Sequence, residues 1–111
     1  MIEIEAVDGV NLNDFDTCMN LVQDVPVAAL FEQVAEEAAE LAKAALKLAR
    51  IVRGENPTPV TRYEAMCMAV EELSDLTLAC EVAGIAPDRQ IQVKKLKRWA
   101  ERLKEGGGNA E

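Results

Sequence analysis

The chain has 111 residues, half of them hydrophobic but only 4% aromatic, with 20 acidic residues, 12 basic ones and no histidine, for a formal net charge of -8. That length fits a single domain, and the Ala-, Leu- and Val-rich apolar content favours packed helices over sheets. The acidity argues against stable nucleic-acid binding, and the lack of histidine removes the commonest zinc ligand and every Ser/His or Cys/His nucleophile arrangement.

Residues 1–12 stay unassigned, although Ile2, Ile4 and the Asp8-Gly9 pair are compatible with a short strand and turn. From Asn13, read as a capping residue, Phe15, Cys18, Met19 and Val22 recur at helical spacing and predict a helix over 13–24. Pro26 restarts the chain, and a second helix is predicted over 26–53, ending at Gly54 before Asn-Pro-Thr-Pro. Its apolar stripe is Leu30, Val34, Leu41, Ala45, Leu48 and Val52, and Glu37 falls inside that stripe with Glu40 on its edge.

The third helix, over 61–83, opens with the capping box Thr61-Arg-Tyr-Glu64 and stops before Gly84. Its stripe of Ala65, Met68, Ala69, Leu76, Ala79 and Ala83 surrounds Glu72, with Asp75 one turn away. Met66, Val70, Leu73, Leu78 and Val82 spread over the rest of its surface, so this helix must be covered on most sides, which predicts a dimer or larger assembly. A fourth helix over 87–105 starts at Pro87 and carries Val93, Leu96, Ala100 and Leu103 on one face, with seven basic residues around it. Residues 106–111 read as a disordered tail. The expected architecture is all-α: a single domain over 1–111, resembling a four-helix bundle and completed by oligomerisation.

Cys18, Cys67 and Cys80 lie in apolar helical patterns without CxxC spacing or a leader-like segment, and read as small core residues in a reducing, cytoplasmic setting. No apolar run is long enough to cross a bilayer, so no membrane association is expected.

The chemistry lies in the acids. Glu37/Glu40 and Glu72/Asp75 repeat one i,i+3 spacing on two helices, and each pair presents oxygens in one direction. Carboxylates on an apolar face are costly unless compensated, and a cation between the helices would compensate them. Hard oxygen ligands suit Mg²⁺ or Mn²⁺, and Mg²⁺ commonly bridges to phosphates of a substrate. The competing reading neutralises these acids with Lys43, Lys47, Arg50 and Arg62 in surface ion pairs. Glu36 and Glu71 receive no role.

Glu36-Glu37-x-x-Glu40 followed by Glu71-Glu72-x-x-Asp75 resembles the paired motif of the MazG-like, all-α nucleoside triphosphate pyrophosphohydrolases, over roughly residues 27–103. The resemblance implies a helical-bundle subunit that forms a homodimer or homotetramer and binds Mg²⁺ through Glu37, Glu40, Glu72 and Asp75. It implies cleavage of a nucleoside triphosphate between its α- and β-phosphates to a monophosphate and pyrophosphate, with a role in nucleotide-pool housekeeping. The family's basic run on the last helix finds its nearest match in Lys95-Leu-Lys-Arg-Trp99-Ala-Glu-Arg102, with Trp99 in place of an asparagine. Lys95 and Arg102 would then meet the substrate phosphates. The groups available for base recognition are Phe15, Phe31, Tyr63, Trp99, Asn11, Asn13 and Gln33. Two other readings of the same residues are a non-catalytic helical interaction module and a degenerate family member that binds nucleotide without turning it over.

Overall fold

In the computed structural model, residues 12–55 and 59–106 are described, and they form four helices without a strand among them. These are α1 (Leu12–Gln23), α2 (Val27–Arg53), α3 (Arg62–Ala83) and α4 (Arg89–Glu105). The expected strand and turn near the N-terminus and the tail beyond Gly106 lie outside the described residues.

The punctuation of the sequence sets the boundaries. Gly54 and Gly84 close α2 and α3 in the left-handed region, at φ 76° and 85°, where a side chain would crowd the backbone. Each glycine amide returns to carbonyls of the last helical turn. At the start of α3 the capping box is complete: Thr61 Oγ1 accepts from the Glu64 amide at 3.0 Å, and the Thr61 amide donates to Glu64 Oε1 at 2.9 Å. Two expected caps are corrected. Asn13 lies within α1 rather than before it, and α4 begins after Asp88, whose carboxylate accepts from the Ile91 amide at 3.0 Å, and not at Pro87. A carboxylate satisfies an orphan amide at a helix start, which a proline ring cannot do.

Helices α2 and α3 form the body of the molecule, packed against each other along their length. The connecting residues 54–61 can span at most about 28 Å, while α2 is about 40 Å long, so the two helices run antiparallel as a hairpin. Half-buried positions on α2 include Leu30, Val34, Glu37, Leu41, Ala44, Leu48 and Ile51, and on α3 Ala69, Glu72, Leu76, Ala79 and Ala83, with Ala65 buried. Both sets step alternately by four and three, the 3.5-residue period of a coiled-coil seam. That period corrects the predicted stripe. Ala45, Val52 and Met68 are exposed, and Ala44 and Ile51 take the seam, because a straight 3.6-residue stripe drifts off a partner helix that a 3.5-residue repeat keeps in register.

Around this hairpin the packing is thin. α1 leans on α3 near its C-terminal half, and α4 packs against none of the other helices. Among the described residues Ala65, 2% exposed, is the only one buried. The four helices therefore do not close into a bundle within one chain. The core role expected of the cysteines is corrected for the same reason: Cys18 and Cys67 are exposed and Cys80 is half-buried, since the surfaces that carry them have no covering helix.

Candidate metal centre

Helical spacing delivers acids to the hairpin seam from both sides. Glu37 on α2 and Glu72 on α3 occupy seam positions and are half-buried, while Asp75, one turn further along α3, is exposed. One oxygen from each of Glu37, Glu72 and Asp75 lies within 4.8 Å of the other two. Oxygens sharing an octahedral Mg²⁺ at about 2.1 Å stand roughly 3–4 Å apart, so small side-chain rotations would bring these three onto one ion. The residues present fit a hard divalent cation.

Glu40 is the predicted ligand that falls outside this trio. It is exposed and pairs with Lys43 on its own helix, Nζ to Oε2 at 3.5 Å. Among the described residues that is the only ion pair; Lys47, Arg50 and Arg62 neutralise none of the four acids. Glu37 accepts a short hydrogen bond, 2.6 Å, from the Gln33 amide nitrogen one turn earlier on the same helix. Glu36 and Glu71 are exposed.

The electrostatics single out Glu72. Its carboxyl is pushed above the usual carboxylate range, first by loss of solvent at the seam and then by the negative charges of Asp75, Glu40, Glu71 and Glu37. Glu40 thus acts on the site through its field even while its own oxygen points to Lys43. A carboxyl with a raised folded-state pKa binds its proton more tightly in the native chain than in the unfolded one. Its contribution to stability is full below the unfolded value and is lost as pH rises through the folded one. In chelator, the Glu72→Gln variant should therefore lose less stability than the parent between about pH 4 and pH 7, and should melt higher at pH 7. Thermal melts across that range check it, and parallel curves for the two proteins would refute the assignment.

Beside the acids opens an apolar cavity of about 490 Å³, bounded by Phe15, Cys18, Met19 and Val22 of α1, Ala29, Leu30 and Gln33 of α2, and Leu78, Ala79 and Val82 of α3, together with Val25. Glu37 and Asp75 stand in its wall. Its volume is in the range of small-molecule sites, and its polar groups are gathered where the carboxylates converge. The apolar face of α1, carrying Phe15, Cys18, Met19 and Val22, is one wall of this cavity. Of the aromatic and amide groups proposed for base recognition, Phe15 and Gln33 line it, while Phe31, Tyr63 and Trp99 do not. Asn11 lies outside the described residues.

Comparison with family models, with curated proteins and with solved structures finds no match to this chain. The site therefore stands on its own geometry.

Lys95 and Arg102 are carried by α4, which touches neither α2 nor α3. The centre seen in one chain is built from the hairpin alone, with α1 closing the cavity. No helix among the described residues is long and apolar enough to cross a membrane.

Proposed function

We propose that this chain is a Mg²⁺- or Mn²⁺-dependent nucleoside triphosphate pyrophosphohydrolase of the MazG-like kind, cleaving between the α- and β-phosphates. The observation that carries the reading is the convergence of Glu37, Glu72 and Asp75 oxygens at the edge of an apolar cavity of base-plus-sugar size. Oxygen ligands from two helices, with hydrophobic walls next to them, suit a ligand with a polyanionic end and a flat, weakly polar end.

In this reading Glu37, Glu72 and Asp75 would hold the ion, with Glu40 as a fourth carboxylate nearby. A divalent ion bound there would neutralise charge on the triphosphate and acidify a water. Water oxygen bonds to the α-phosphorus while the bond to the oxygen bridging to the β-phosphorus breaks, giving a nucleoside monophosphate and pyrophosphate. A carboxylate oxygen not engaged in ligation accepts the proton that the water loses. The cavity takes the base, with Phe15 offering a ring face and Gln33 an amide. Lys95 and Arg102 serve as phosphate ligands once α4 is brought to the site. The proposed setting is cytoplasmic housekeeping of the nucleotide pool by a homodimer or homotetramer, without nucleic-acid partners.

Incubating the purified chain with a panel of common and modified nucleoside triphosphates in Mg²⁺ or Mn²⁺ tests this reading. The expected products are pyrophosphate and monophosphate, with turnover lost in chelator. Release of orthophosphate instead would reject α-β cleavage, and no release with any substrate would reject the enzyme.

A further inference from the structure

Among the described residues α4 packs against no other helix, yet its own residues are sharply sorted by side. Val93, Leu96, Trp99, Ala100 and Leu103 fall within an arc of about 120° at 100° per residue. Leu96, Trp99 and Val93 are 62%, 60% and 45% exposed. Arg89 and Gln92 share that side only in the first turn. Cationic side chains border the stripe on both sides, Lys97 and Lys104 along one edge and Lys95 and Arg102 along the other, while Glu101 and Glu105 lie on the back of the helix. In all, α4 carries seven basic residues and two acidic ones, in a chain of net charge -8. None of the seven pairs with a carboxylate among the described residues.

We infer that α4 docks on an anionic lipid surface, lying flat in the headgroup region with its apolar stripe turned into the bilayer. The occupant follows from how charge and apolar surface are arranged. A narrow stripe edged by lysine and arginine, with a tryptophan on its margin, matches the layering of a bilayer boundary. The stripe enters the acyl layer, the indole of Trp99 sits at the boundary, and the long stems carry the cations of Lys95, Lys97, Arg102 and Lys104 back up to lipid phosphates. The acidic hairpin has a complementary charge too, but it makes no contact with α4. Glu101 and Glu105, which an anionic surface would repel, stand on the side away from the stripe. The expectation of no membrane association rests on the lack of a spanning run, and a helix lying on a surface needs none. α4 cannot lie on lipid and carry Lys95 and Arg102 to the carboxylates at once, so these two placements exclude each other. The docking is otherwise independent of the reaction the acids perform.

Trp99 is the single tryptophan of the chain, so the emission of the full protein reports on this face directly. With vesicles of equal parts phosphatidylcholine and phosphatidylserine, the emission should shift to the blue, acrylamide quenching should fall, and the protein should sediment with the lipid. Vesicles of phosphatidylcholine alone should do none of this, and added salt should reverse it. Lys97→Gln combined with Arg102→Gln should weaken partition roughly 30-fold. Leu96→Asp should abolish the blue shift, whereas Leu46→Asp, the same change at an exposed leucine of α2, should leave it intact. An unchanged spectrum with anionic vesicles, or an equal response to neutral ones, overturns the proposal without recourse to any variant. Trp99 already blue-shifted and shielded from acrylamide before lipid is added would show the stripe covered by protein, and would overturn it as well. A shift produced by polyglutamate but not by vesicles would assign α4 to an acidic protein and refute the lipid.

Discussion

The Glu72→Ala chain is expected to lose its response to divalent metal while becoming more heat-stable than the parent in chelator. Both effects have one cause. Glu72 stands half-buried at the hairpin seam, with its oxygen within 4.8 Å of those of Glu37 and Asp75, and burial and neighbouring negative charge both disfavour its ionised form. Removing it relieves that repulsion and takes one of the three oxygens from the trio. An ion that binds only the folded chain stabilises it by about 2.7 kcal/mol at a hundred times its Kd, roughly 10 °C in melting temperature for a domain of this size. The parent should show this rise with Mg²⁺ or Mn²⁺, and Glu72→Ala should show none. Because bound metal supplies several kcal/mol of transition-state stabilisation in phosphoryl chemistry, pyrophosphate release should fall at least about 100-fold. If the variant and the parent gained equally on adding metal, the centre would not be where the three acids meet, and the acids would be a charged surface only.

A second large effect is expected at Ala65, the one buried side chain among the described residues. It lies in the first turn of α3, where its amide donates to the Thr61 carbonyl at 2.9 Å, and it opens the seam at the loop end of the hairpin. A methyl group lets the two helices approach; a larger side chain pushes them apart. Ala65→Leu should cost about 1–3 kcal/mol through overpacking, a fall of roughly 5–15 °C in melting temperature. Ala100→Leu, the same change on exposed α4, should stay within about 0.5 kcal/mol of the parent. Thermal denaturation of the two variants side by side decides it. Equal stability would mean that the hairpin does not close at Ala65.

The helices were legible because their ends are written in residue chemistry that acts locally. Gly54 and Gly84 adopt a backbone that favours glycine, and Thr61 and Glu64 satisfy each other's amides across one turn. The start of α4 was misplaced at Pro87, because a ring that tolerates a first turn does not satisfy an orphan amide, which the Asp88 carboxylate does. The acids were legible for a different reason: Glu37 and Glu72 interrupt apolar stripes, which is costly without compensation. Glu40 shows where that signal stops. One turn past Glu37 it has the right spacing, yet it is exposed, pairs with Lys43 on its own helix and stands outside the trio.

Periodicity and local caps along the chain determined that this protein is helical, where α2 and α3 begin and end, and that Glu37 and Glu72 lie on an inward face, because each of those properties depends on residues within one or two turns. Only the tertiary structure decided that α2 and α3 meet along a 3.5-residue seam, that three of the four acids converge, and that α1 walls a cavity instead of filling a core. It also decided that α4, with Lys95 and Arg102, stands clear of the hairpin. Those outcomes depend on how separate helices share one surface, and an apolar stripe records that it must be covered without recording what covers it.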